Sequence, residues 1–303
     1  GTHLLTQMRP AVHRWTAYRF SEGLGMKSWI SSGAIALTTV LVVSTATCKA
    51  SAQETESLFG VRSASVTYGP YVRLEFGGAM PSPSDAYWLP PGEDDPRIDF
   101  DASGSDVGFG AVAFGFDWQT GIRADLSFFG MGTSDIIGPC SGASDGSDCA
   151  VHANIKEASV STKGAMANVF YAPFEARGSN SVFQPFIVAG LGVARNEVGE
   201  WTRENLSPPP PDKPDRRELR TFEGDSSSGL AWSIGVGASL QVTRPGKWPV
   251  MIEAAWRYYD FGSASGGATP LPDNGNSEPR QPFTFDNEAQ VITFGVRIPL
   301  QRY

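Results

Sequence analysis

Hydrolysis needs a base, usually histidine, beside a nucleophile or an activated water. After residue 52 this chain has one histidine, His152, with Glu157 and Ser159 close to it in sequence. Nothing in their spacing demands a catalytic set, so no catalytic residue is assigned and an enzyme using His152 stays only as an alternative. Asp99, Asp101, Ser103 and Asp106 loosely match a calcium-loop spacing, but a solvated acidic loop is the plainer account and no metal site is expected. Gly190-Leu191-Gly192 and Gly235-Val236-Gly237 are not phosphate loops, because no helix pattern and no Gly-Lys-Ser/Thr follows either. Strand glycines that let bulky neighbours pack explain them, and no cofactor is expected. Cys140 and Cys149 stand in a Gly/Ser/Asp-rich stretch, where an oxidising compartment would let them pair as a disulfide. A metal site would need more ligands than that stretch supplies. The remaining chemistry is electrostatic, carried by Arg73, Glu75, Arg123, Asp125, Glu253, Arg257 and Arg297.

Each of those charges sits in a segment that alternates with period two, as a strand does. In 65–77, Val72, Leu74 and Phe76 oppose Arg73, Glu75 and Gly77; Val66 and Tyr68 continue the apolar face towards the N-terminus. Strands follow at 107–118, 122–128, about 158–171, 183–194, 232–242 and 250–259, and the chain closes with 293–300. In 158–171 the alternation is weak, and either Val169 and Tyr171 or Met166 and Phe170 could face outward. The count is about eight strands. Short turns alternate with long loops at about 78–106, 130–154, 196–228 and 262–285, the third containing Pro208 to Pro211 and a charged run expected to be partly mobile. Long and short connections in alternation fit an up-and-down barrel in a membrane, with long extracellular loops and short periplasmic turns. A soluble lipocalin-type barrel has no reason to confine its long loops to one end.

The charges decide which face meets lipid. An outward Arg at mid-depth would cost about 2–4 kcal/mol, and several together would rival the ~5–15 kcal/mol of a whole fold. They must therefore point into the lumen, where they either pair or line a binding cavity. An interior closed by eight strands is only wide enough for side chains, with Tyr71, Tyr259 and Arg257 beside Gly235 and Gly237.

Composition agrees without deciding: 41% hydrophobic and 18% charged residues are ordinary for a folded chain of 303 residues. No run after residue 52 approaches the ~20 apolar residues of a spanning helix, so a membrane would be crossed by strands. The net charge of -8 disfavours nucleic acid as a partner. Residues 1–25 precede a credible start at Met26 and read as translated upstream sequence. Residues 26–52 read as a secretory signal peptide, with Lys27, an apolar run and Ala50-Ser51-Ala52 as the cleavage pattern, so that the mature chain starts near Gln53. A single anchor is the alternative for that run, and lipid attachment at Cys48 would want a better apolar residue before it. Residues 53–64 are a polar lead-in and 65–303 the barrel.

The closing strand, with Thr293, Gly295, Ile298 and Leu300 at their spacing, resembles the terminal signal by which outer-membrane barrels are recognised for assembly. The stretches Gly121-Ile122-Arg123-Ala124-Asp125-Leu126, Phe183-Gln184-Pro185-Phe186 with Gly190-Leu191-Gly192, and Glu253 through Gly262 resemble the OmpA-type barrel and the opacity-like surface antigens. That resemblance implies an eight-stranded barrel in the outer membrane of a Gram-negative cell. The chain departs from full-length OmpA in lacking, within this sequence, the peptidoglycan-binding domain. The partners implied are outer-membrane lipid and lipopolysaccharide, the barrel assembly machinery and extracellular ligands of the loops. A structural or surface-interaction role, antigen- or adhesin-like, leads; a narrow porin-like channel is the second reading and a barrel enzyme the third.

Overall fold

The pleat of an extended chain sends successive side chains to opposite faces, so segments of period two become strands with one bulky and one mixed face. The computed structural model describes residues 69–179, 181–207, 219–243, 248–271 and 277–300. The expected signal peptide, Cys48, the cleavage site before Gln53 and the start of the expected 65–77 strand, with Val66 and Tyr68, lie outside the described residues. The strands are β1 (Pro70–Pro81), β2 (Ser84–Leu89), β3 (Ile98–Phe100), β4 (Ser103–Gly104), β5 (Val107–Asp117), β6 (Ile122–Gly138), β7 (Cys140–Ala143), β8 (Ala153–Tyr171), β9 (Phe183–Val198), β10 (Trp201–Asn205), β11 (Leu219–Phe222), β12 (Asp225–Gln241), β13 (Met251–Ser265) and β14 (Gln281–Pro299). One short helix, α1 (Pro173–Ala176), lies between β8 and β9.

Eight long strands, β1, β5, β6, β8, β9, β12, β13 and β14, form a closed antiparallel ring. Closure is made by β1 against β14, in register from Tyr71↔Pro299 to Pro81↔Ala289. At one end the connections are short. Between β5 and β6 the chain reverses over 118–121, with Gln119 at φ 59° and Gly121 at φ 80°. A side chain on Gly121 would be strained in that conformation and would strike the backbone of Ala172 and Ala176, so glycine is required there.

The register sorts the residues. Leu74, Phe76, Phe114, Leu126, Val169, Ile187, Leu191, Val193, Ile234, Ile252 and Phe294 are exposed on the outer face, while Arg73, Glu75, Arg123, Asp125, Glu253, Arg257 and Arg297 are buried inside. In β8 the weak alternation resolves with Val169 and Tyr171 outward and Met166 and Phe170 inward. Trp118, Phe116, Tyr171 and Trp248 are exposed near the short-turn end, and Trp232 faces outward on the other side of the belt, the placement of aromatic girdles at lipid–water borders.

Several strands run further than expected. β6 continues to Gly138 instead of 128, β12 begins at Asp225 instead of 232, β13 continues to Ser265 instead of 259 and β14 begins at Gln281 instead of 293. Beyond the apolar belt the outer face meets water and carries Lys163, Arg195, Ser226 and Gln290, so the apolar alternation stops while the backbone pairing does not. Much of what the sequence reads as long loops is therefore paired chain, including β2, β3, β4, β7, β10 and β11. Of the expected mobile run in the third loop, 208–218 lies outside the described residues.

Candidate functional site

The lumen is the place where the polar faces of eight strands converge. Nearest the short turns lies an ionic layer of four arginines and four carboxylates. Asp125 accepts from Arg73 Nε at 2.9 Å, from the Tyr71 hydroxyl at 3.1 Å and from Asn168 Nδ2 at 2.7 Å. Arg73 also pairs with Glu75. Glu253 Oε1 accepts from Arg297 Nε at 2.8 Å and lies 2.9 Å from Arg123 Nη1. Arg297 Nη1 donates to Asp117 Oδ2 at 2.9 Å, and Arg257 Nη1 donates to the Tyr259 hydroxyl at 3.2 Å. The Arg123 guanidinium stacks over Phe170 at 4.3 Å and Phe186 at 4.7 Å. A layer of equal and opposite charges, each held by several partners, offsets the desolvation that a lone buried ion would suffer.

Sequence reasoning places all seven of its lumen charges on this inward face, and all seven are buried there. Arg297 stands opposite Arg73 in the ladder, yet its ion partners are Glu253 and Asp117. Two cations side by side repel, and each turns to carboxylates, Arg73 to Glu75 and Asp125, Arg297 to Glu253 and Asp117. Asp117 was missed as a member of the network, although its alternation with Phe114 and Phe116 puts it inward; Asn168 was hidden by the weak pattern of β8. Glycines make room: a Cβ on Gly235 would meet the Trp256 carbonyl and the Arg257 side chain.

Above the charges the lumen is aromatic. Tyr259 and Phe261 stack at 5.2 Å, and Phe109 and Phe129 join them at 5.5 Å and 5.6 Å, packed with Met131, Met166 and Val291. A polar knot follows. Asn287 Nδ2 donates to Thr162 Oγ1 and Asn196 Oδ1, both at 2.9 Å, and all three residues are buried.

The long-loop end is closed by a further apolar core. Ile136, Val160, Val198, Phe283 and Phe285 from the ring strands pack with Trp88, Ile98, Phe100, Trp201 and Phe222 from β2, β3, β10 and β11. Trp201 stacks on Phe222 at 4.3 Å, and its indole N–H donates to the Gly267 carbonyl at 2.9 Å. β2 extends the ring sheet from β14, β3 pairs β2 and β7 pairs β3, so segments of two different loops fold into one cap. Cys140 at the start of β7 is bonded to Cys149.

The remaining candidates are dispersed. Glu157 and Ser159 lie on β8, five and seven residues past His152, which at ~3.3 Å per residue carries them about 16 Å or more away. His152 instead meets Ser147, whose Oγ is 2.6 Å from Nε2 and donates to Asp145 Oδ1 at 2.5 Å. The Ser147 hydroxyl and amide hold the Asp145 carboxyl below the usual carboxylate range. Here the carboxylate is on the serine, not on the far imidazole nitrogen where it would orient a general base. Of the loosely calcium-like run, Asp99 accepts from Arg97 Nε at 2.6 Å, and Ser103 belongs to β4. In the closing strand Thr293 and Gly295 face inward, while Ile298 and Leu300 are exposed outward.

No family model matches the chain, and no curated protein matches it. Among solved structures it is similar to the Neisserial surface protein A (14% identity over 77% of this chain and 97% of that one, TM-score 0.38). It is also similar to the outer membrane protein OprG from Pseudomonas aeruginosa (16%, 78% and 98%, TM-score 0.41). The outer membrane protease OmpT from Escherichia coli gives 13% identity over 77% of this chain and 98% of that one, with a TM-score of 0.40. The barrel assignment stands on the chain's own strand pairing.

Proposed function

We propose that the chain is an outer-membrane barrel of a Gram-negative cell with a structural or surface-interaction role, carried by the folded cap at its long-loop end. The observation that supports this most is the filling of the lumen. An ionic layer, an aromatic layer, the Asn–Thr knot and the cap core succeed one another, and their largest side chains are almost wholly excluded from solvent. Solute passage would require several of these layers to open together. The apolar belt supports the membrane, since an exposed apolar surface of this extent on a water-soluble barrel would aggregate. The short turns are assigned to the periplasm and the cap to the cell exterior, where its outer surface meets ligands, host molecules or neighbouring cells. A channel role draws no support from any particular feature of the lumen, and neither does an enzymatic one.

Topology tests this reading directly. Asp94→Cys in the cap and Thr120→Cys in a short turn are both at exposed positions. On intact cells a membrane-impermeant maleimide should label Asp94→Cys alone, with Thr120→Cys labelled only after the outer membrane is opened. Labelling of Thr120→Cys on intact cells, or of neither variant under either condition, would refute the assignment.

A further inference from the structure

The outer wall is not uniform around its border with the cap. On β8 and β9 the outward apolar residues end at Ala165 and Val193, and the next outward positions are Lys163 and Arg195. These two cations are directly opposite one another in the ladder, as are Ala165 and Val193 below them. Facing like charges repel. They share one carboxylate, with Glu197 Oε1 at 2.7 Å from Lys163 Nζ and 3.3 Å from Arg195 Nε, so one positive charge is left over. Arg195 Nη2 also donates to Ser226 Oγ at 2.9 Å.

Beneath the cations runs a groove of about 440 Å³ lined by Lys163, Gly164, Ala165, Val193, Arg195 and Ser228. Gly164, between the outward Lys163 and Ala165, faces the lumen. A Cβ there would lie 2.6 Å from the Phe129 ring, so the wall is one backbone thick and the lumen aromatic stands directly behind it. Elsewhere along the border the sign is opposite or absent: Asp260 faces Glu288 on β13 and β14, with Gln290 beside them, and Gly130 faces Lys163 on β6. One sector therefore combines an apolar trough with surplus positive charge, while another carries clustered acids.

We propose that this β8–β9 sector binds a phosphate-bearing lipid, its headgroup on Lys163 and Arg195 and one acyl chain along Ala165 and Val193. A membrane lipid with an anionic phosphate matches both halves of the site: the trough needs a chain, the surplus charge needs an anion, and the two occur together only at the belt's border. Free phosphate leaves the trough empty, and a zwitterionic headgroup supplies no net charge. The proposal rests on the membrane-barrel reading above.

The test uses the full chain, folded in a maltoside detergent and checked for a heat-modifiable shift on a gel. Dioctanoyl phosphatidic acid, dioctanoyl phosphatidylcholine and inorganic phosphate are titrated separately and counted by native mass spectrometry. One phosphatidic acid should be retained, about tenfold or more tighter than either control. Lys163→Gln combined with Arg195→Gln should abolish that preference, and Ala165→Phe should weaken retention by filling the trough with both cations intact. Equal retention of the two lipids, phosphate binding as tightly as the lipid, or no change in either variant would overturn the site. So would a two-chain species that Ala165→Phe dissolves, which would give the groove to a second copy. A heat-modifiable protein without lipid preference rejects this site alone; absence of the heat shift rejects the barrel reading itself.

Discussion

At the scale of single residues, facing sets cost. Glu253 holds both Arg123 and Arg297, and neutralising it leaves two buried guanidinium groups short of a partner. Glu253→Gln should destabilise by about 3–5 kcal/mol, read as a shift of the urea unfolding midpoint in micelles. Leu74 is exposed on the opposite face of its strand, next to the inward Arg73 and Glu75. Leu74→Arg should cost about 2–4 kcal/mol of insertion energy if the site lies near mid-depth, measured as the folded fraction in lipid vesicles. Were Leu74→Arg neutral and Glu253→Gln equally neutral, the inside and outside assignments would be exchanged. Arg297→Gln belongs with the first class. With Glu253 and Asp117 both depending on Arg297, its removal is expected to be costly.

At the scale of elements, the cap and the belt answer to different forces. The Cys140–Cys149 bond closes a short loop at the edge of β7. Cys140→Ser should loosen that edge by no more than about 2–3 kcal/mol, seen as faster amide exchange in 140–152 with the heat-modifiable shift of the barrel unchanged. On the rim, burial and then the charges of Asp85, Asp260 and Glu288 push the Asp286 carboxyl up. A carboxyl whose folded pKa exceeds its unfolded one disfavours the fold when ionised. Stability should therefore rise as pH falls through that raised value towards about 4, and Asp286→Asn should remove this rise while stabilising the fold at neutral pH. Equal pH profiles for variant and parent would contradict it. The same division explains what the sequence could reveal. Within the belt, lipid imposes an apolar outward face, so strands such as Trp232 to Val242 are legible by eye. Above it, water wets the outer face, and Ser226, Ser228 and Gly229 pair as strand without any alternation to announce them. β2, β3, β10 and β11 are held by Trp88, Phe100, Trp201 and Phe222 packing across distant loops, a dependence that no local pattern carries.

At the scale of the whole molecule, an apolar wall encloses a filled interior, and the proposed role therefore falls to the outer surface. The charges that mark the lumen in the sequence are legible because burying them outward would be prohibitive, but their neutrality emerges only when Asp117 joins the other three carboxylates. An eight-stranded ring leaves room for side chains and little else, and here Phe109, Phe129, Tyr259 and Phe261 occupy that room above the ions. The most direct measurement is ion conductance of the purified full chain inserted in a planar lipid bilayer, with insertion verified by the heat-modifiable shift of the same protein. The filled lumen predicts no current steps above the protein-free bilayer across the applied voltages. Reproducible unitary steps whose amplitude changes in Tyr259→Ala would show an open path through the aromatic layer and contradict the account.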